Sequence, residues 1–220
     1  MCDLRHFPWI DRRRGRAGYR DPVRLTKYTH ACVRLEHDGR VLVVDPGVWS
    51  EPAALRGADA VLVTHEHTDH VDVLRLAGLG VPVYAPAGAR IPDLDVHPVA
   101  PGEEFTAARL RVRAFGGRHA TIYGGQPDCP NLGYLVEGEV YHPGDSVYRP
   151  DVPVRTLLVP VQGSWLKTAE AIDFVRALAP ERAYGIHDAQ VNDRGLQSVH
   201  GWLAEETGGC YRWLTPGETA

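Results

Sequence analysis

The hydrophobic positions of this chain fall mostly in short runs with a period near two. Residues 24–36 mix Leu and Val with Thr, Tyr and Arg in loose alternation, as a half-buried strand does. Asp38-Gly39 supplies a hairpin turn into the apolar run 40–45. Pro46-Gly47 breaks that run, and a short helix fits near 51–56. Residues 60–63 are continuously apolar, which is how a buried strand reads. Helical spacing covers 71–77 and stops at Gly78, while 81–84 and 96–99 are short strand candidates. Residues 105–115 alternate Leu, Val and Arg and predict another hairpin.

The second half repeats the style, with strands predicted at 132–137, 140–141 and 157–161 and a turn at Glu137-Gly138. Ala171, Ile172, Val175, Leu178 and Ala179 mark one face of a helix that Pro180 ends. A strand at 183–186 and a helix at 196–204 close the chain. This is a mixed α/β pattern of two β-rich halves, without repeat or linker. It predicts one domain over 25–220, preceded by an arm at 1–24.

Composition changes the picture little. With 44% apolar and 24% charged residues the chain should fold, and a net charge of −4 favours neither nucleic acid nor an anionic membrane as partner. The arm departs from this balance, holding seven arginines against three aspartates. It reads as a solvated segment, with a polyanion contact as the alternative. Cys2, Cys32, Cys129 and Cys210 form no C-x-x-C pair and read as free thiols. No apolar run suits a signal peptide or a membrane span, so a cytoplasmic protein is expected.

The chemistry concentrates in Thr64-His65-Glu66-His67-Thr68-Asp69-His70, directly after a predicted buried strand. In an extended loop alternate side chains share a side, so His65 and His67 can grip one ion while Asp69 and His70 turn toward another. Imidazole and carboxylate are good ligands for zinc, and a site needs three or four. Three later strand ends each offer one more: His119 after Gly116-Gly117-Arg118, Asp145 within His142-Pro143-Gly144-Asp145-Ser146, and His187 after Tyr184-Gly185-Ile186.

These motifs, H-x-H-x-D-H at 65–70, G-x-x-H ending at His119, G-D-S at 144–146 and a strand-end His187, resemble those of the metallo-β-lactamase-fold superfamily, in the same order. The resemblance implies a four-layer αββα sandwich with two metal ions at one edge of the sheets. It implies His65, His67 and His119 around one ion, Asp69, His70 and His187 around the other, and Asp145 bridging. The sequence looks closest to the branch that includes ascorbate-6-phosphate lactonase. In that branch a G-H pair near the first strand is usual; here Thr29 precedes His30, which either packs beside the site or contacts substrate.

Two divalent cations can share one water and lower its pKa from 15.7 toward about 7, presenting a bridging hydroxide to an electrophilic carbon or phosphorus. Asp69 could orient that water or carry its proton. His142 and Ser146 flank Asp145 and are candidates to hydrogen-bond around the ligands. Specificity should lie in loops 86–92, 123–131 and 162–167. There Tyr123 and Trp165 could form an apolar wall, and Arg118 or Lys167 could meet a phosphate or carboxylate. The expected activity is hydrolysis of a lactone, ester or related bond in a small molecule, phosphorylated substrates included. A phosphodiesterase or nuclease, and a non-catalytic metal-binding protein, are the alternatives. Iron-bearing oxidoreductases of the superfamily tend to carry Glu at the position of His67. Zn2+ suits the donors best, with Mn2+ or Fe2+ also acceptable.

Overall fold

Residues 24–36 form two strands rather than one. In the computed structural model, which describes residues 22–220, β1 (Arg24–Lys27) pairs antiparallel with β2 (Val33–His37) across a tight turn. The Tyr28 N–H donates to the Cys32 carbonyl at 2.8 Å, and His30 takes a left-handed φ of 65°. No glycine or proline signals this reversal, so alternation alone reads through it. The next turn is as expected. His37 pairs with Arg40, and Asp38 and Gly39 both have positive φ, joining β2 to β3 (Arg40–Val44).

A 3-10 turn at Pro52–Leu55 leads to β4 (Ala60–Leu62), and α1 (Val73–Ala77) starts at Asp72, whose side chain accepts the Arg75 N–H. β5 (Val83–Pro86) and β6 (His97–Val99) complete a first sheet of six strands in the order β1 to β6. The second sheet holds β7 (Glu104–Ala107), β8 (Leu110–Gly116), β9 (Leu132–Val136), β10 (Val140–His142) and β11 (Thr156–Pro160). After α2 (Thr168–Leu178) it gains β12 (Arg182–Ile186), and after α3 (Asp193–Glu206) the two-residue β13 (Tyr211–Arg212). Its order is β13-β12-β11-β10-β9-β8-β7. β13 is too short to show in a hydrophobic pattern.

The two sheets face each other across the main core, which includes Leu35, Leu42, Leu62, Leu132, Tyr134 and Leu158. A second cluster fills the space between the second sheet and α2 and α3, with Leu157, Val159, Phe174 and Leu203. A third, including Val43, Val61 and Leu76, lies on the outer face of the first sheet. β11 therefore points Leu158 inward and Leu157 and Val159 toward the helices. Burial on both faces is why its sequence is an unbroken apolar run. The layers are helix, sheet, sheet, helix, with few helices and a thin outer layer on the first sheet.

The edge of β1 is covered by the end of the chain, where the Ala220 N–H donates to Leu25 O at 2.9 Å and the Gly217 N–H to Lys27 O at 2.7 Å. Beneath that seam Lys27 is fully buried and its Nζ lies 2.8 Å from Asp188 Oδ2, just past β12. This ion pair ties the edge of one sheet to the end of a strand in the other. Removing one partner would leave the other charged group buried alone, so Lys27→Ala should cost roughly 3–5 kcal/mol. Urea unfolding of the variant would check this; a loss below about 1 kcal/mol would show that water reaches Asp188.

Candidate metal centre

The carboxyl ends of β3, β4, β10 and β12 meet at one place, and the titratable side chains gather there. His65 Nε2 lies 3.1 Å from His67 Nδ1, and these two with His119 bring donor atoms within 4.8 Å of one another. A second group, His30, Asp69, His70 and His187, does the same. Asp145 stands between them. Its Oδ2 is 3.0 Å from His187 Nε2 and 3.2 Å from His119 Nε2, while its Oδ1 is 3.1 Å from His70 Nε2. All seven residues first singled out by motif are thus brought together, and His30 joins them from its turn.

Hydrogen bonds on the far side of each ring decide which nitrogen faces inward. His119 Nδ1–H donates to Ala120 O at 2.6 Å, and His70 Nδ1–H to Asp45 Oδ2 at 2.7 Å. The Thr64 hydroxyl donates to Asp45 Oδ2 at 2.6 Å, so it accepts from His65 Nδ1 at 3.1 Å. In its neutral form each of these three rings therefore presents an unprotonated Nε2 to the centre. His70 Nε2 and Asp145 Oδ1 are buried 3.1 Å apart, with no further hydrogen-bond partner among the described residues. Buried polar atoms whose remaining bonding capacity goes unused in this way are costly unless a ligand uses it.

The charges agree with the geometry. Burial pushes His65 well below the usual imidazole range and His67 below it, keeping both neutral. For His70 burial acts the same way, but Asp145 and Asp45 outweigh it and hold its pKa well above that range. Burial would raise Asp145, yet His70, His187 and His65 hold it well below the carboxylate range. Without a cation the cluster thus needs a proton on His70 for balance. A set of buried imidazoles and carboxylates with convergent lone pairs fits a divalent cation.

Other residues singled out from sequence take varied places. Trp165 donates its indole N–H to Asp145 Oδ2 at 3.1 Å and lies edge-on to His119 and His187, with ring centroids 6.0 and 5.9 Å away. Gly163 makes room for it, since a Cβ there would come within 2.7 Å of the indole nitrogen. Tyr123 is 87% exposed on a tight loop beside His67. Arg118 is exposed and ion-paired with Asp128, and Lys167 is exposed at the start of α2. His142 donates Nε2–H to Ala31 O at 2.8 Å and accepts the Gly144 N–H at 3.1 Å, which fixes the turn before Asp145. Ser146 donates to Pro143 O at 3.0 Å in the same turn.

Several residues that sequence reading passed over hold the site in place. Asp45 is fully buried and accepts both the Thr64 N–H and the Thr64 hydroxyl as well as His70. Asn131 accepts the Asp145 N–H at 2.9 Å and donates to Pro143 O at 3.0 Å. Gly47 lies so close to the 69–70 backbone that a Cβ would overlap the Asp69 carbonyl. Cys129 Sγ is 3.9 Å from His67 Nε2, behind the ring. Asp45-Pro46-Gly47 has the composition of a turn, so its carboxyl group carried no separate signal.

The model of the Beta-lactamase superfamily domain matches residues 24–187. The chain belongs to the metallo-β-lactamase superfamily. Protein Rv0786c of Mycobacterium tuberculosis is 36% identical over 197 residues, covering 84% of this chain and 93% of that protein. A UPF0173 protein of Pyrococcus furiosus is 32% identical over 173 residues, covering 72% and 80%. A UPF0173 metal-dependent hydrolase of Aeropyrum pernix is 26% identical, covering 71% and 79%. The chain is accordingly a metal-dependent hydrolase of the UPF0173 group within the superfamily. Among solved structures, the metallo hydrolase Igni18 from Ignicoccus hospitalis superposes with a TM-score of 0.69 at 19% identity, covering 90% of this chain and 97% of that one. CmlA, a diiron beta-hydroxylase from Streptomyces venezuelae, gives 0.73 at 18% identity, covering 90% and 54%. These two likenesses concern the fold alone.

Asp45 is the support whose loss should be read most directly at the centre. Asp45→Asn removes the charged acceptor behind His70 while keeping its shape, and should weaken divalent-cation binding about 10–100-fold. Competition against a chromophoric chelator would measure this. Affinity within twofold of the parent would mean that packing alone holds the ring.

Proposed function

We propose that this hydrolase cleaves a lactone, ester or related acyl bond in a small uncharged molecule, with two divalent cations, zinc by preference, as cofactors. His65, His67 and His119 would hold one cation and Asp69, His70 and His187 the other, with Asp145 shared. The observation that carries this reading is the placing of Asp145, whose two oxygens reach histidines of both groups. When bound, such a pair supplies Lewis acidity and lowers the pKa of water enough to give a nucleophile at neutral pH.

The residues of the chain do the rest. Asp69, held at about 2 by the His30 hydrogen bond and by His70 despite its burial, is ionised at neutral pH and can orient water or accept its proton. The Trp165 ring stands edge-on to both His119 and His187, where it would limit the entry of bulk solvent. Ile122, Tyr123, Gln126 and Pro127 line an open cavity of about 400 Å³ that includes His67. Across the centre, partly exposed Trp49 lies edge-on to His30, with centroids 4.8 Å apart. Apolar walls on both sides, with Arg118 already engaged by Asp128, suit an uncharged substrate better than a phosphate ester.

The test is elemental analysis followed by a substrate panel of lactones, aryl and alkyl esters, thioesters and a chromogenic phosphodiester. Two cations per chain and hydrolysis of a neutral acyl substrate, abolished by chelation and restored by zinc, are expected. Preferential turnover of the phosphodiester would overturn the substrate class, and a single cation at saturation would overturn the paired centre.

A further inference from the structure

His30 lies among Asp69, His70 and His187 closely enough to be counted as a fourth donor of that group. Its hydrogen bonds say otherwise. The Ala189 N–H donates to His30 Nδ1 at 3.3 Å, so that nitrogen is an acceptor and carries no proton. The proton of the neutral ring is then on Nε2, 3.1 Å from Asp69 Oδ2, and is donated to it. This wiring is the reverse of that in His65, His70 and His119, whose Nδ1 atoms donate outward and leave Nε2 bare in the neutral ring. A nitrogen that holds a proton toward a carboxylate has no lone pair for a cation.

We infer that His30 is a positioning residue that fixes the Asp69 carboxylate through an Nε2–H donor, and is not a metal ligand. The backbone is arranged for this role. The His187 N–H donates to His30 O at 3.1 Å, so the turn 187–189 grips His30 through both its carbonyl and its ring. His30 and His187 each adopt a left-handed φ, 65° and 58°, an unfavourable conformation that the surrounding bonds must maintain. Edge contact with Trp49 closes another side of the ring. The contacts of Asp69 to His30, His70 and His187, at 3.1, 3.8 and 4.0 Å, are all made through Oδ2. The hydrogen bond therefore sets which carboxylate oxygen faces the histidines, and so where the other one points.

The inference rests on the proposed ligand role of Asp69, and its test does not need a known substrate. In protein loaded with cadmium-113 and labelled with nitrogen-15, His30 should show a protonated Nε2, a bare Nδ1 and no nitrogen–cadmium coupling. His70 should show that coupling. Coupling at either nitrogen of His30 would overturn the inference, whereas its absence from His70 would instead count against the proposed centre. As a second arm, His30→Gln places an amide N–H near the position of Nε2 and should keep cadmium affinity within a few-fold. His30→Ala should lose about 10–100-fold. Equal loss in two variants whose circular dichroism matches the parent would also overturn it.

Discussion

Everything at the edge of the sandwich leans on the burial of Asp45. Its carboxyl group has no access to solvent and accepts three hydrogen bonds, two from Thr64 and one from His70. Leaving any of those donors unpaired in the interior would cost about 1–3 kcal/mol, so the ends of β3 and β4 are locked in register. The Thr64 hydroxyl, oriented by that bond, accepts from His65. The Thr64 carbonyl accepts the Leu132 N–H at 2.9 Å, which crosses to the second sheet. There Asn131 holds the backbone of Asp145. A short chain of bonds thus runs from one carboxyl group to donors in both halves of the centre.

How much of this was legible in the sequence depended on what each residue's neighbours reveal. His65, His67, Asp69 and His70 sit within six positions, so local spacing was enough to suggest a shared centre. His119, Asp145 and His187 follow strands, and strand-end placement brought them in because the first cluster lacked partners; their order along the chain then matched the family pattern. Asp45 and Asn131 act through partners 25 and 14 positions away, and no local periodicity encodes such pairings. The His30 turn was hidden for a different reason. A residue with φ of 65° that is neither Gly nor Asn is held by tertiary hydrogen bonds, which a local reading does not contain.

The fold by itself leaves the chemistry open. CmlA, a hydroxylase, has a domain of similar shape, so the sandwich serves as a frame on which loops and ligands select the reaction. In this chain the selection falls to small features of the frame. Gly163 admits the indole of Trp165, and Gly47 admits the Asp69 backbone. Each glycine leaves space for a functional neighbour, and neither is distinguishable in sequence from a turn glycine.

The spread of the centre along the chain has a further consequence during synthesis. His65 to His70 leave the ribosome early, His119 and Asp145 later, and His187 only after β11 and α2. On the proposed ligand set, a nascent chain can begin to capture cations with its first loop, but cannot complete the centre until β12 has paired with β11. Metal content would then record more than binding strength, because it would count the molecules that had finished assembling both sheets.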